Sequence, residues 1–243
     1  MRRFIAILTC LAALTAFAAD PDVIATRAAR AFAAGEWASA HAMYVLVSDA
    51  KPMEAMPYGR AVVASLMRND TTATTTEIRR ALANGVALDS VLAVIEKESL
   101  ALGKGNMYVG ELHRISAEMP YLRRPVDARL LRYYIFRYDA PQIIRYSQTL
   151  LKGLPDSPVY LNTLAKGYSL NGQKDMAEQT WRHILELDSD NLEALVCLGN
   201  ALRESDPQSA LTYLFRANEI HPTPYLQATI RSLSARNGEA PRE

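Results

Sequence analysis

A self-similarity of about 34 residues in the second half of the chain constrains its fold more than any other feature. Leu161, Leu164, Ala165 and Tyr168 recur 34 residues later as Leu195, Leu198, Gly199 and Leu202. Ala177, Trp181, Ile184 and Ser189 recur 33 residues later as Ala210, Leu214, Ala217 and Pro222. A fixed order of large, small and turn residues at one period marks a stack of similar helix pairs. Each pair is too small to bury its apolar face alone.

Within one period the pattern reads as a helical hairpin. Leu161, Leu164, Ala165 and Tyr168 stand at i, i+3, i+4 and i+7, which places them on one helix face. Asn171-Gly172 breaks that helix, and Ala177, Trp181 and Ile184 mark the face of the second. Small residues at Ala165 and Ala177 permit the roughly 8–10 Å approach of packed helices. Asp188-Ser189-Asp190-Asn191 turns into the next hairpin and supplies an N-cap. On these residues, 157–222 resembles two tetratricopeptide repeats, with Ile184, Ser189 and the shortened turn at Asp206-Pro207 as departures. The resemblance implies an all-α, right-handed α-solenoid of about six helix-turn-helix repeats plus a C-terminal capping helix, acting by binding protein.

Run backwards, the period reaches most of the chain. Pro155, Pro120 and Pro52 fall at closing turns, and Ala28, Gly35, Ala40 and Tyr44 keep the order of a first hairpin. Leu130, Leu131, Tyr134, Ile143 and Leu150 outline a degenerate repeat, and residues 88–120 form a pair turning at Gly103-Lys104-Gly105-Asn106. The stretch 53–87 fits worst; its β-branched run Thr71 to Thr76 predicts a loop and an N-cap. Leu226, Ile230 and Leu233 predict a last helix covering the final repeat and stopping at Asn237-Gly238. The expected order is divergent hairpins over 19–122, a degenerate repeat over 123–156, two clear repeats over 157–222, a capping helix over 223–236 and a tail over 237–243.

Residues 1–18 read as a signal peptide: Met1-Arg2-Arg3, an apolar run from Phe4, and a small-x-small end at Ala16-Phe17-Ala18. They predict export to the periplasm or beyond the cell. An uncleaved anchor is the bland alternative, but the run falls short of the roughly 20 residues a spanning helix needs. A lipoprotein acylated at Cys10 is another, against which Thr9 and the apolar residues after the cysteine argue. Cleavage would leave Cys197 alone, so packing and not a disulfide must hold the fold. A net charge of +1 provides no global attraction to nucleic acid or membrane.

No catalytic constellation stands out. His41, His113, His183 and His221 fall in four different repeats without ligand spacing, and Ser169 lies late in a helix instead of at a nucleophile elbow. Asp188-Ser189-Asp190-Asn191 lacks the glycine and glutamate of a calcium loop. Neither metal nor cofactor is expected, and the chain reads as no enzyme. Arginine and tyrosine interleave between Arg123 and Tyr146, a pattern that can bind single strands. Export and the core position of Tyr134 argue instead for a solvated or partner-facing stretch.

The sharper expectation concerns the first helix of each hairpin. A stripe turned about 110° from the core should line the concave wall. Across repeats it forms a ladder of Lys97, Arg132, Lys166 and Asn200, with Asn162 and Arg203 beside it. Such a row suits a protein or peptide partner that is acidic or carries a free carboxylate. The order Asn162-x-x-x-Lys166 reverses the Lys-x-x-x-Asn of carboxylate-clamp tetratricopeptide domains. The expected function is a non-catalytic adaptor of the cell envelope; the alternative is a structural subunit packing through its convex or end surfaces.

Overall fold

The computed structural model describes residues 20–237. The expected signal peptide, Cys10 and the residues after Asn237 lie outside them. The described residues form α1 (Pro21–Ala33), α2 (Trp37–Ala50), α3 (Ala55–Leu66), α4 (Thr71–Ala83), α5 (Leu88–Ala101) and α6 (Gly105–Glu118). A 3-10 turn (Pro120–Leu122) precedes α7 (Arg123–Phe136), α8 (Ala140–Leu151), α9 (Pro158–Leu170), α10 (Lys174–Leu187), α11 (Leu192–Ala201), α12 (Pro207–Ile220) and α13 (Pro224–Arg236). Among these residues every element is helical.

The helix starts follow elementary capping chemistry. The Asn191 side chain accepts from the Ala194 N–H at 3.1 Å and opens α11, and Asp206 accepts from Ser209 N–H at 3.1 Å to open α12. Pro21, Pro158, Pro207 and Pro224 occupy first helical positions, where their missing N–H costs nothing. Each of the first five hairpins turns through one residue in the left-handed region: Gly35 (φ 74), Asn69 (φ 57), Gly103 (φ 68), Tyr138 (φ 54) and Gly172 (φ 75). Their spacing is the sequence period made visible in the backbone. The turn between α11 and α12, shortened at Asp206-Pro207, has no such residue.

The run Thr71 to Thr76 is helical, correcting the expected loop. Asp70 caps it by accepting from Ala73 N–H at 3.0 Å. The threonine hydroxyls turn back onto their own helix: Thr74 donates to Thr71 O at 2.7 Å and Thr76 to Thr72 O at 2.9 Å. The competition that makes threonine a weak helix former is thereby turned inward.

The chain divides into two units, the first ending at Glu118 and the second beginning at Met119. The first contains three hairpins, α1–α2, α3–α4 and α5–α6, around Ala28, Ala40, Tyr44, Tyr58, Ile78, Ile95 and Leu112. Two of its buried tyrosines have hydroxyl partners: Tyr58 donates to Pro52 O at 3.1 Å, and Tyr44 accepts from Arg60 at 3.0 Å. Helices α3 and α5 meet closely at Gly59.

The second unit stacks α7–α8, α9–α10 and α11–α12 and ends on α13. Its core is the repeat stripe predicted from the period, Leu161, Leu164, Ala165, Tyr168, Ala177, Trp181 and Ile184 with their counterparts Leu195 to Ala217. Leu226, Ile230 and Leu233 of α13 close it as expected. In α7 the core is Val126, Leu130, Leu131 and Tyr133, while Tyr134 is only half-buried and stacks on Tyr146 at 5.6 Å. The interleaved arginines are partly used inside the fold. Arg137 lies over Tyr133, and Arg145 over Tyr146 at 5.3 Å.

Candidate functional site

A groove of about 520 Å³ opens in the second unit, lined by Tyr138, Lys166, Ser169, Leu170, Trp181, Cys197, Asn200 and Ala201. Helical spacing explains the convergence. Lys166, Ser169 and Leu170 stand at i, i+3 and i+4 of α9, and Cys197, Asn200 and Ala201 repeat that spacing on α11. Trp181 reaches the groove from α10, and Tyr138 from the turn between α7 and α8.

The groove carries little net charge. Lys166 is its one charged lining residue, and its ammonium is ion-paired with Glu193 on the next hairpin. Burial pushes the Cys197 thiol up from its ordinary value, so it stays neutral near pH 7. Asn200 Oδ1 accepts from the Tyr225 hydroxyl at 3.3 Å, tying the rim to α13. Leu170 and Tyr138 are exposed, and Trp181 is 4% exposed with an indole Nε1 that is buried and has no hydrogen-bond partner. The arrangement can hold an apolar group against aromatic and aliphatic walls while presenting amide and hydroxyl groups for hydrogen bonds.

Of the ladder, Lys166 and Asn200 come together in this groove. Arg132 is exposed on α7 but outside the lining, and Lys97 is exposed on α5 of the first unit. Asn162 is buried at 4%, not on an open wall, and its Oδ1 is unpartnered. The stripe geometry failed there because α9 packs against both α8 and α10, which closes two of its faces. Arg203 is half-buried, with its Nε enclosed and unpartnered, and lies outside the lining. The sequence reading missed Tyr138, Leu170 and Ala201 as groove residues and took Trp181 and Cys197 for core alone. Counting the period from Gly103 to Gly172 would have put Tyr138 at the hairpin turn.

The first unit has its own depression, about 470 Å³, bordered by Phe32, Trp37, Ala101 and Leu102. Arg60 and Glu98 also line it, ion-paired at 2.8 Å, with Arg60 5.7 Å over the Phe32 ring. Among the described residues no cluster of three or more His, Cys, Asp or Glu could hold a metal ion, and no helix is long and apolar enough to cross a membrane.

No family model matches the sequence, and no curated protein matches it either. Solved structures do resemble the fold. The C-terminal part of a TPR repeat-containing protein from Cytophaga hutchinsonii superposes with a TM-score of 0.54 at 14% identity, covering 87% of this chain and 88% of that one. A chain of the Naa15/Naa10 assembly bound to HypK-THB gives 0.52 at 13% identity, covering 90% of this chain and 34% of that one. The helix-turn-helix units, their 34-residue beat and these neighbours agree: the fold is an all-α solenoid of the tetratricopeptide-repeat type.

Proposed function

We propose that the chain is a non-catalytic interaction module whose second unit holds a peptide segment of a protein partner in the groove between α9, α10 and α11. The observation that carries this reading is the convergence of apolar walls and a polar rim on one face of stacked hairpins, the arrangement that suits a docked chain. Neither Ser169 nor Cys197 has a histidine or carboxylate beside it in the lining, so no activated nucleophile supports an enzymatic reading. The leader-like residues 1–18 support export, and with it a partner in the cell envelope.

Site-specific photocrosslinking in cells tests this directly. A photoreactive residue replacing Ser169 inside the groove is expected to trap a protein that one replacing the exposed Gln208 on α12 does not. Equal trapping from both positions, or none from Ser169, refutes the groove as the binding surface.

A further inference from the structure

Tyr138 stands out among the hairpin turns. Four of the five left-handed turn positions hold glycine or asparagine, the residues that tolerate such a φ; hairpin four holds a tyrosine at φ 54. Its backbone N–H still closes the turn onto Ile135 O at 3.1 Å. The ring recovers nothing inside the chain. It is 77% exposed and has neither a ring partner nor a hydrogen bond among the described residues. A strained conformation kept without internal compensation points to a group used outside the fold. The ring stands at the lip of the groove.

Electrostatics remove the acidic occupant that the ladder suggested. Glu193 already neutralises Lys166, so an incoming carboxylate would have to displace it and would meet its repulsion.

We propose that the groove's occupant is a peptide with an uncharged apolar anchor side chain held between Tyr138 and Leu170. This rests on the groove reading given under Proposed function and specifies the chemistry of the partner. An extended peptide suits these walls, since it offers an apolar side chain to Tyr138 and Leu170 and backbone polar groups to Ser169 and Asn200.

The test uses a random peptide library displayed on phage, selected on the full chain, with the selected peptides then synthesised and their affinities measured. Tyr138→Gly is the informative variant because glycine suits the left-handed turn, so its melting temperature is expected to be no lower than that of the parent. The selected peptides are expected to share an apolar anchor without enrichment in Asp or Glu. Tyr138→Gly should bind them about 30-fold more weakly, as loss of an aromatic anchor does.

Peptides rich in Asp or Glu, weakened by Lys166→Ala but not by Tyr138→Gly, overturn the inference and leave the groove reading standing. Apolar peptides that bind Tyr138→Gly unchanged overturn it as well. Failure to recover any peptide that Ala201→Arg, a charge placed in the groove, displaces would overturn both.

Discussion

Gly59 provides the most discriminating test of the packing. A Cβ built there would lie 2.5 Å from Val94 Cβ and 2.6 Å from Val94 Cγ1, with Val91 O at 3.3 Å. Carbon atoms in favourable contact sit roughly 3.5–4.0 Å apart, so α3 and α5 would have to separate by about 1 Å. Val94 Cβ is bonded to the backbone and cannot rotate away, unlike the tip of a long side chain. Overpacking of this kind costs about 1–3 kcal/mol. Gly110, exposed in α6, is the matched control: a Cβ there meets nothing within 4 Å. Gly110→Ala should therefore add stability by about 0.5–1 kcal/mol through helix propensity alone. The same gain operates at Gly59, so the difference between the two variants isolates the steric term, about 2–3 kcal/mol in the absence of any escape. In urea unfolding followed by far-ultraviolet circular dichroism, that separates the two midpoints by about 1 M, with the slope unchanged. A Gly59→Ala midpoint that rises alongside Gly110→Ala would refute the close approach of α3 and α5.

Two further predictions concern buried charges of the first unit. Glu111 is 3% exposed and is held by Arg114, whose Nε donates to it at 2.9 Å; burial still raises its carboxyl above the ordinary range. Arg114→Leu should cost about 3–5 kcal/mol at pH 7 by stranding the carboxylate, and Glu111→Gln added to it should recover most of that in urea midpoints. A raised folded-state pKa favours the protonated folded form, so the single variant should regain stability as the pH falls, and a pH-independent loss would contradict the reasoning. His41 is shifted in the opposite sense: burial, then Arg68 and Arg80, lower its imidazole below the ordinary 6.5, and its Nε2 has no hydrogen-bond partner. Below about pH 6.5 the unfolded chain therefore binds the proton the fold resists, and stability should decline as the pH falls through that range. His41→Gln should flatten that decline in melting temperature; an unchanged slope would remove His41 as its source.

Much of the fold was legible because helix periodicity, caps and turns are local. Leu161, Leu164, Ala165 and Tyr168 declare a buried face by spacing alone, and Gly35, Gly103 and Gly172 declare turns because few residues accept a positive φ. The Thr71 to Thr76 helix was hidden since propensity argued against it. A cap at Asp70 and hydroxyls bonded back to the helix decided the matter.

The candidate site was legible only in part. A period can align Lys166 with Asn200, and these two do face one groove. It cannot say which faces of α9 its neighbours close, and so Asn162, adjacent to the core stripe, went inside. Nor can it pair charges across repeats: Glu193 lies 27 residues from Lys166 and cancels the cation on which an acidic ligand would depend. By itself, then, the sequence determined the hairpin, its repeat and its core stripe, because each follows from spacing within about one turn or one period. The tertiary structure decided which walls stay open, which charges are spent and which aromatic groups remain unpaired. Those depend on packing between hairpins, where burial and partners are set by residues distant along the chain.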